Sequence, residues 1–138
     1  MPILNYTTKI DATKTVGEIQ GLLAKHGAQK IMLMFDEHGE PESMIFEIPT
    51  AFGLRAVKLP AKWKAVLNVL KEQKIKCDDA QAKRVAWRIV KNWVEAQMAI
   101  LETEMVSVDE VFLPYMIDNA GHTLYEGYLN GGIALLTD

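Results

Sequence analysis

Apolar positions recur along this chain with two periods. Val16, Ile19, Leu22 and Leu23 repeat three and four apart, the spacing of one helical face. Thr15 stands before them with Glu18 three residues on, which reads as an N-cap and capping box. Gly27 suits the left-handed position that ends such a helix. Upstream, residues 5–10 (NYTTKI) alternate weakly and are rich in β-formers, so a first strand is expected there. Residues 31–35 (IMLMF), 43–48 (SMIFEI) and 54–59 (LRAVKL) are three further predicted strands. The turn residues at 36–41 join the first two as a hairpin, and 49–53 breaks the chain again.

Pro60 then suits the first turn of a helix. Its apolar stripe is Trp63, Val66, Leu67 and Leu70, and it fades near Gln73. Asp78 or Asp79 caps the longest helix, which runs to about Met105. There Ala82, Val85, Ala86, Ile89, Trp93, Ala96 and Ile100 fall on one arc at about 100° per residue. Ser107 with Glu110 caps a short turn, and Leu113-Pro114-Tyr115 interrupts it. Residues 116–125 read as a small hairpin before Asn130-Gly131-Gly132. The predicted order is β-α-β-β-β-α-α, an α+β fold. It has an antiparallel sheet covered by helices on one face and an irregular C-terminal tail. Ile19, Leu23, Ile31, Leu33, Phe46, Trp63, Leu67, Leu70, Ile89, Trp93 and Ile100 are the predicted core.

Composition narrows the class. A chain of 138 residues, 49% apolar and 24% charged, fits one domain over 1–138 with a real core. No apolar run reaches the ~20 residues that span a bilayer, and the first residues do not read as a secretory signal. The single cysteine, Cys77, cannot form an internal disulfide and fits a reducing cytoplasm. Lys74 and Lys76 beside it favour its thiolate, although a half-buried structural role is the expectation.

Charge changes the picture most, because it is sorted by position. Residues 55–91 hold eleven of the fifteen Lys and Arg against three acids, leaving +8. Residues 92–138 hold eight acids and no Lys or Arg, and residues 1–54 carry −3. A basic middle points to an anionic partner. On the long helix, with Lys83 at zero, Trp87 falls at about 40°, Lys91 at 80°, Arg84 at 100° and Arg88 at 140°. An indole among four cations suits a stacked base and its phosphates. Lys62, Lys64 and Lys71 on the preceding helix extend that surface. The competing role is a solvated face, with Trp87 under the tail or at a subunit contact, and with the basic middle serving as counter-charge for Glu95, Glu102, Glu104, Asp109 and Glu110. The opposed charges and the apolar residues 133–136 also predict a homo-oligomer.

Other chemistry is thin. Asp36, Glu37, His38 and Glu40 read as a polar hairpin tip, since their spacing matches no calcium loop. His26, His38 and His122 lack zinc-ligand spacing, and no nucleophile triad, phosphate loop or dinucleotide motif occurs. No metal, cofactor or catalytic residue is therefore assigned. Tyr115, Tyr125, Tyr128 and Phe112 are expected to pack the tail, with an aromatic ligand pocket as the alternative.

The stretches GAQKIMLMFDEHGEPESMIFEI, RVAWRIVKNWVEAQMAILE and EVFLPYM resemble a group of small proteins of tailed phages and prophages, over about residues 5–128. The resemblance implies a setting, the bacterial cytoplasm during infection, and work in phage DNA metabolism or against host defence. It implies no activity and no site residue. A three-stranded sheet followed by a basic helix is also similar in layout to single-strand annealing proteins, a fold-level analogy. The expected function is a non-enzymatic phage accessory protein that binds nucleic acid, single-stranded DNA first. Lys62, Lys64, Lys71, Lys83, Arg84, Trp87, Arg88 and Lys91 would form the surface. The alternative is a counter-defence protein that binds a host immune protein or sequesters a phosphate-bearing nucleotide.

Overall fold

The computed structural model of the protein describes residues 1–131. Its elements are α1 (Ala12–Lys25), β1 (Lys30–Phe35), β2 (Pro41–Thr50), β3 (Gly53–Lys58), α2 (Trp63–Glu72) and α3 (Asp79–Glu102). They continue as α4 (Val108–Phe112), a 3-10 turn (Leu113–Tyr115) and α5 (Leu124–Leu129). The three strands form one antiparallel sheet in the order β1-β2-β3. Asp36 closes the first hairpin, its Oδ1 accepting the N–H of His38 at 2.8 Å and of Glu40 at 3.0 Å. Gly39 supplies the positive φ of 78° that this turn needs.

Alternation along β2 decides which sheet face is covered. Met44, Phe46 and Ile48 are buried, as is Val57, the β3 partner of Phe46. They meet Val16, Ile19 and Leu23 of α1, Trp87, Val90, Val94 and Met98 of α3, and Phe112 of α4 in one core. The other face carries Met32 and Leu54, which stay 59% and 45% exposed. Helices thus cover one face of an antiparallel sheet, as expected of this α+β chain.

Three local expectations fail. Residues 5–10 form a turn and coil instead of a strand, so the order starts with a helix. Asp11 is the N-cap of α1. Thr15 lies inside that helix and is fully buried, because the apolar face begins one turn earlier, at Ala12. In the described part of the tail, Ser107 and Thr123 each close a full capping box, with Glu110 and Glu126. The small hairpin expected at 116–125 is present as an antiparallel Ile117–Thr123 bridge, with the Leu124 N–H donating to the Met116 carbonyl at 2.9 Å, but Leu124 and Tyr125 open α5 instead of continuing a strand. The apolar residues 133–136 lie outside the described residues.

Four of the eleven predicted core residues, Ile19, Leu23, Phe46 and Leu70, are fully buried, whereas Ile31, Leu33, Trp63, Leu67, Ile89, Trp93 and Ile100 are half-buried. The phase of α3 accounts for its share of the error. The helix packs against both α1 and α2. Its covered arc (Ala82, Val85, Ala86, Trp87, Val90, Val94, Met98) is therefore broad and turned toward the cationic side. Trp93 instead lies under the C-terminal segment, edge-on to Phe112 and Tyr115 at 5.9 and 5.4 Å.

Candidate nucleic-acid interface

The proposed platform on α3 does not form. Trp87 is 2% exposed, and its indole N–H donates to the Pro41 carbonyl at 3.3 Å. It anchors the start of β2 and offers no face to a base. Its neighbouring cations are also engaged. Lys83 pairs with Asp36 at 3.2 Å, Arg88 with Glu18 at 2.7 Å and Lys91 with Glu95 at 3.1 Å. Arg84 spends two N–H groups on the Gln81 amide oxygen, at 2.9 and 2.6 Å. Packing on two sides leaves the α3 cations as ties to α1, to the hairpin turn and to the helix itself.

The counter-charge expectation is corrected at the same time. Among the described residues, one ion pair joins the basic middle to an acid beyond residue 91, Lys91–Glu95, and it lies within one helix. Glu102 pairs with His26 of α1 instead, at 2.6 Å. Arg55, Lys58, Lys62, Lys64, Lys71, Lys74 and Lys76 have no carboxylate within ion-pair distance among the described residues. Apart from Arg84, which meets only the neutral Gln81 amide, the positive charge without a carboxylate partner in this stretch sits on β3, α2 and the connection to α3. Lys62, Lys64 and Lys71 are exposed there. Residues 64 and 71 are seven apart, so they share one face of α2.

Beside that face lies a cleft of about 420 Å³. Lys58, Lys62 and Lys64 line it with Trp63, Tyr115 and Tyr125, and Glu42 and Glu126 sit at its rim. Residues 58–64 reach it because Pro60 stops the strand and starts the turn into α2. The distant residues 115–126 arrive through a bridge between Val57 and Met116, backed by the Ile117 N–H donating to the Ala56 carbonyl at 2.9 Å. Two ammonium groups lie over the Trp63 ring, Lys83 at 4.9 Å and Lys64 at 5.8 Å from its centre. Tyr115 is fixed by its edge contact with Trp93.

Electrostatics at the rim are set by the caps. The Thr123 backbone N–H, with the Thr123 hydroxyl second, holds the Glu126 carboxyl below the usual carboxylate range, and Lys58 adds to this. Glu126 is thus ionised at neutral pH and orders α5 through its capping box. Three lysines against two carboxylates leave the cleft positive, with aromatic walls. That combination suits a base or ribose held beside one or two phosphates.

Sequence reasoning assigned Trp63 to the core and Tyr115 and Tyr125 to tail packing. The signal it lacked is the Val57–Met116 pairing, which brings together segments some sixty residues apart and leaves no trace in local spacing. Among the described residues, no group of three or more His, Cys, Asp or Glu could hold a metal ion. No described helix is long and apolar enough to cross a membrane. Set against known proteins, the chain matches no family model, no curated protein and no solved structure, so the geometry alone bears on function.

Proposed function

We propose that this chain is a non-enzymatic phage accessory protein that binds single-stranded nucleic acid, DNA first, on its α2 side. The cleft takes one nucleotide, while Lys62, Lys64 and Lys71 hold neighbouring phosphates. The observation that carries this reading is the coincidence of free cations and aromatic walls. Of the lysines that lack a carboxylate partner among the described residues, Lys58, Lys62 and Lys64 stand beside Trp63, Tyr115 and Tyr125. Work in phage DNA metabolism in the host cytoplasm rests on the resemblance of the sequence to small phage proteins.

Sequestration of a free nucleotide signal is the second reading. It is favoured by the shape of the cleft, whose volume of about 420 Å³ lies within the usual range for small-molecule sites. One experiment separates the two. Oligonucleotides of increasing length are titrated beside a panel of mononucleotides and cyclic dinucleotides, at two salt concentrations. Strand binding predicts affinity that grows with length and falls steeply with salt, with a log–log slope of about −2 to −3 for three or four phosphates. Sequestration predicts tight binding of the small ligand at fixed stoichiometry, indifferent to oligonucleotide length. Binding of neither class at low salt would sink both. Because Trp87 is enclosed, quenching on binding should arise at Trp63, and Trp63→Phe should remove most of it.

A further inference from the structure

One edge of the sheet is open among the described residues. β3 is flanked by residues 116–117, whereas β1 pairs with β2 alone. The direction of the unused backbone groups follows from the ladder. The Met44 carbonyl accepts the Leu59 N–H at 3.0 Å, so it faces away from β1. Alternate carbonyls of β2 then face β1, and that of Glu47 does, accepting the Gln29 N–H at 2.9 Å. The bonded pairs are therefore Lys30–Glu47, Met32–Ile45 and Met34–Ser43. The N–H and C=O of Ile31 and Leu33 point outward, to the open edge.

This edge is only lightly protected, by Lys30 at its start and an irregularity at Met34/Phe35. The strand reads KIMLMF, with no proline and no charge after Lys30. Met32 and Phe35 are 59% and 54% exposed, and Ile31 and Leu33 are only half-buried although they face the core. Charge lies at its two ends with opposite sign. The Lys30 side chain is 77% exposed, and the turn that follows the strand carries Glu37, whose side chain is 87% exposed.

We propose that β1 pairs antiparallel with β1 of a second copy, about a two-fold axis at Leu33, giving one six-stranded sheet. In that register Leu33 exchanges both backbone bonds with the partner's Leu33. Met32 meets the partner's Met34 on the outer face. Lys30 falls against the turn that holds the partner's Glu37, and the symmetry repeats the pair. A parallel arrangement would instead oppose the two Lys30 side chains. The occupant is a second copy because the strand complements itself in backbone bonds, in apolar side chains and in charge. The cleft is lined by Glu42 and Ser43 at the start of β2 and by residues after β3, with none from β1, so pairing along β1 need not enter it.

Sedimentation equilibrium of the full chain at tens of micromolar should show a dimer. Met32→Lys, at an exposed site, should drive it to monomer with an unchanged far-ultraviolet circular dichroism spectrum. Leu33→Pro removes an N–H that points outward and leaves the β1–β2 ladder bonds in place, and it should do the same. Lys30→Glu should weaken the dimer by about tenfold, and adding Glu37→Lys should restore it. A monomeric wild type would overturn the proposal. So would a dimer that Met32→Lys leaves intact, a charge swap that fails to restore pairing, or an edge that takes up only foreign extended peptides.

Discussion

Three tryptophans show what single residues do here and what they do not. Trp87 joins α3 to the start of β2, Trp93 holds the C-terminal segment through Phe112 and Tyr115, and Trp63 walls the cleft. Trp87→Phe leaves the Pro41 carbonyl without its donor and a small void beside it. It should cost about 1–3 kcal/mol in urea denaturation while leaving ligand affinity unmoved. His26 supplies a pH-dependent contact. Its hydrogen bond to the Glu102 carboxylate, with the bond to the Leu22 carbonyl second, raises its pKa above the ordinary value near 6.5. The protonated form is favoured in the folded state. The stabilisation is therefore fully present below the unfolded pKa and is lost as pH rises through the raised one. The urea midpoint of wild type should fall from pH 6.5 upward, and His26→Gln should flatten that fall. The opposite slope would remove the ion pair as the cause.

At the scale of elements, the strands and long helices were legible because each has a local cause. Gly39 and Pro41 between apolar runs fixed the first hairpin, observed as β1 and β2. Asp78 fixed the start of α3, its side chain accepting the Gln81 N–H at 2.8 Å. What failed depends on neighbours that sequence spacing does not show. The phase of α3 was read as if one face were covered, whereas α1 and α2 pack on it from two sides. That single fact buries Trp87 and moves the candidate site to α2. Of the site residues expected from the sequence, Lys62 and Lys64 line the cleft and Lys71 continues their face, while Lys83, Arg84, Arg88 and Lys91 act as struts. The end of α2 offers a separate check. Lys74 follows the helix in the left-handed region, at φ 58°, a position that suits glycine. Lys74→Gly should raise stability by about 0.5–1 kcal/mol in thermal denaturation. A loss would mean that the Lys74 side chain makes a contact that outweighs the strain.

For the molecule as a whole, the sorted charge of the sequence persists in space but with a different address. Within the described residues the acidic C-terminal third makes one ion pair with the basic middle, Lys91–Glu95, and brings one further carboxylate, Glu126, beside Lys58 in the cleft. Carboxylates of α1, the hairpin turn and α3 itself pair with Arg88, Lys83 and Lys91, and the lysines of α2 and the cleft are left without such partners. No residue of the open β1 edge lines the cleft, so assembly and ligand binding should be separable by mutation. The central claim is that the α2 lysines, and not those of α3, meet the phosphates. The salt dependence of single-stranded DNA affinity tests it most directly, comparing wild type with the Lys62→Ala, Lys64→Ala, Lys71→Ala triple variant and with Lys91→Ala. The triple variant should lose about 0.7 of log–log slope for each phosphate contact removed, roughly 2 in all, while Lys91→Ala leaves the slope unchanged. An unchanged slope in the triple variant, together with a shallower one in Lys91→Ala, would contradict this assignment and return the interface to α3.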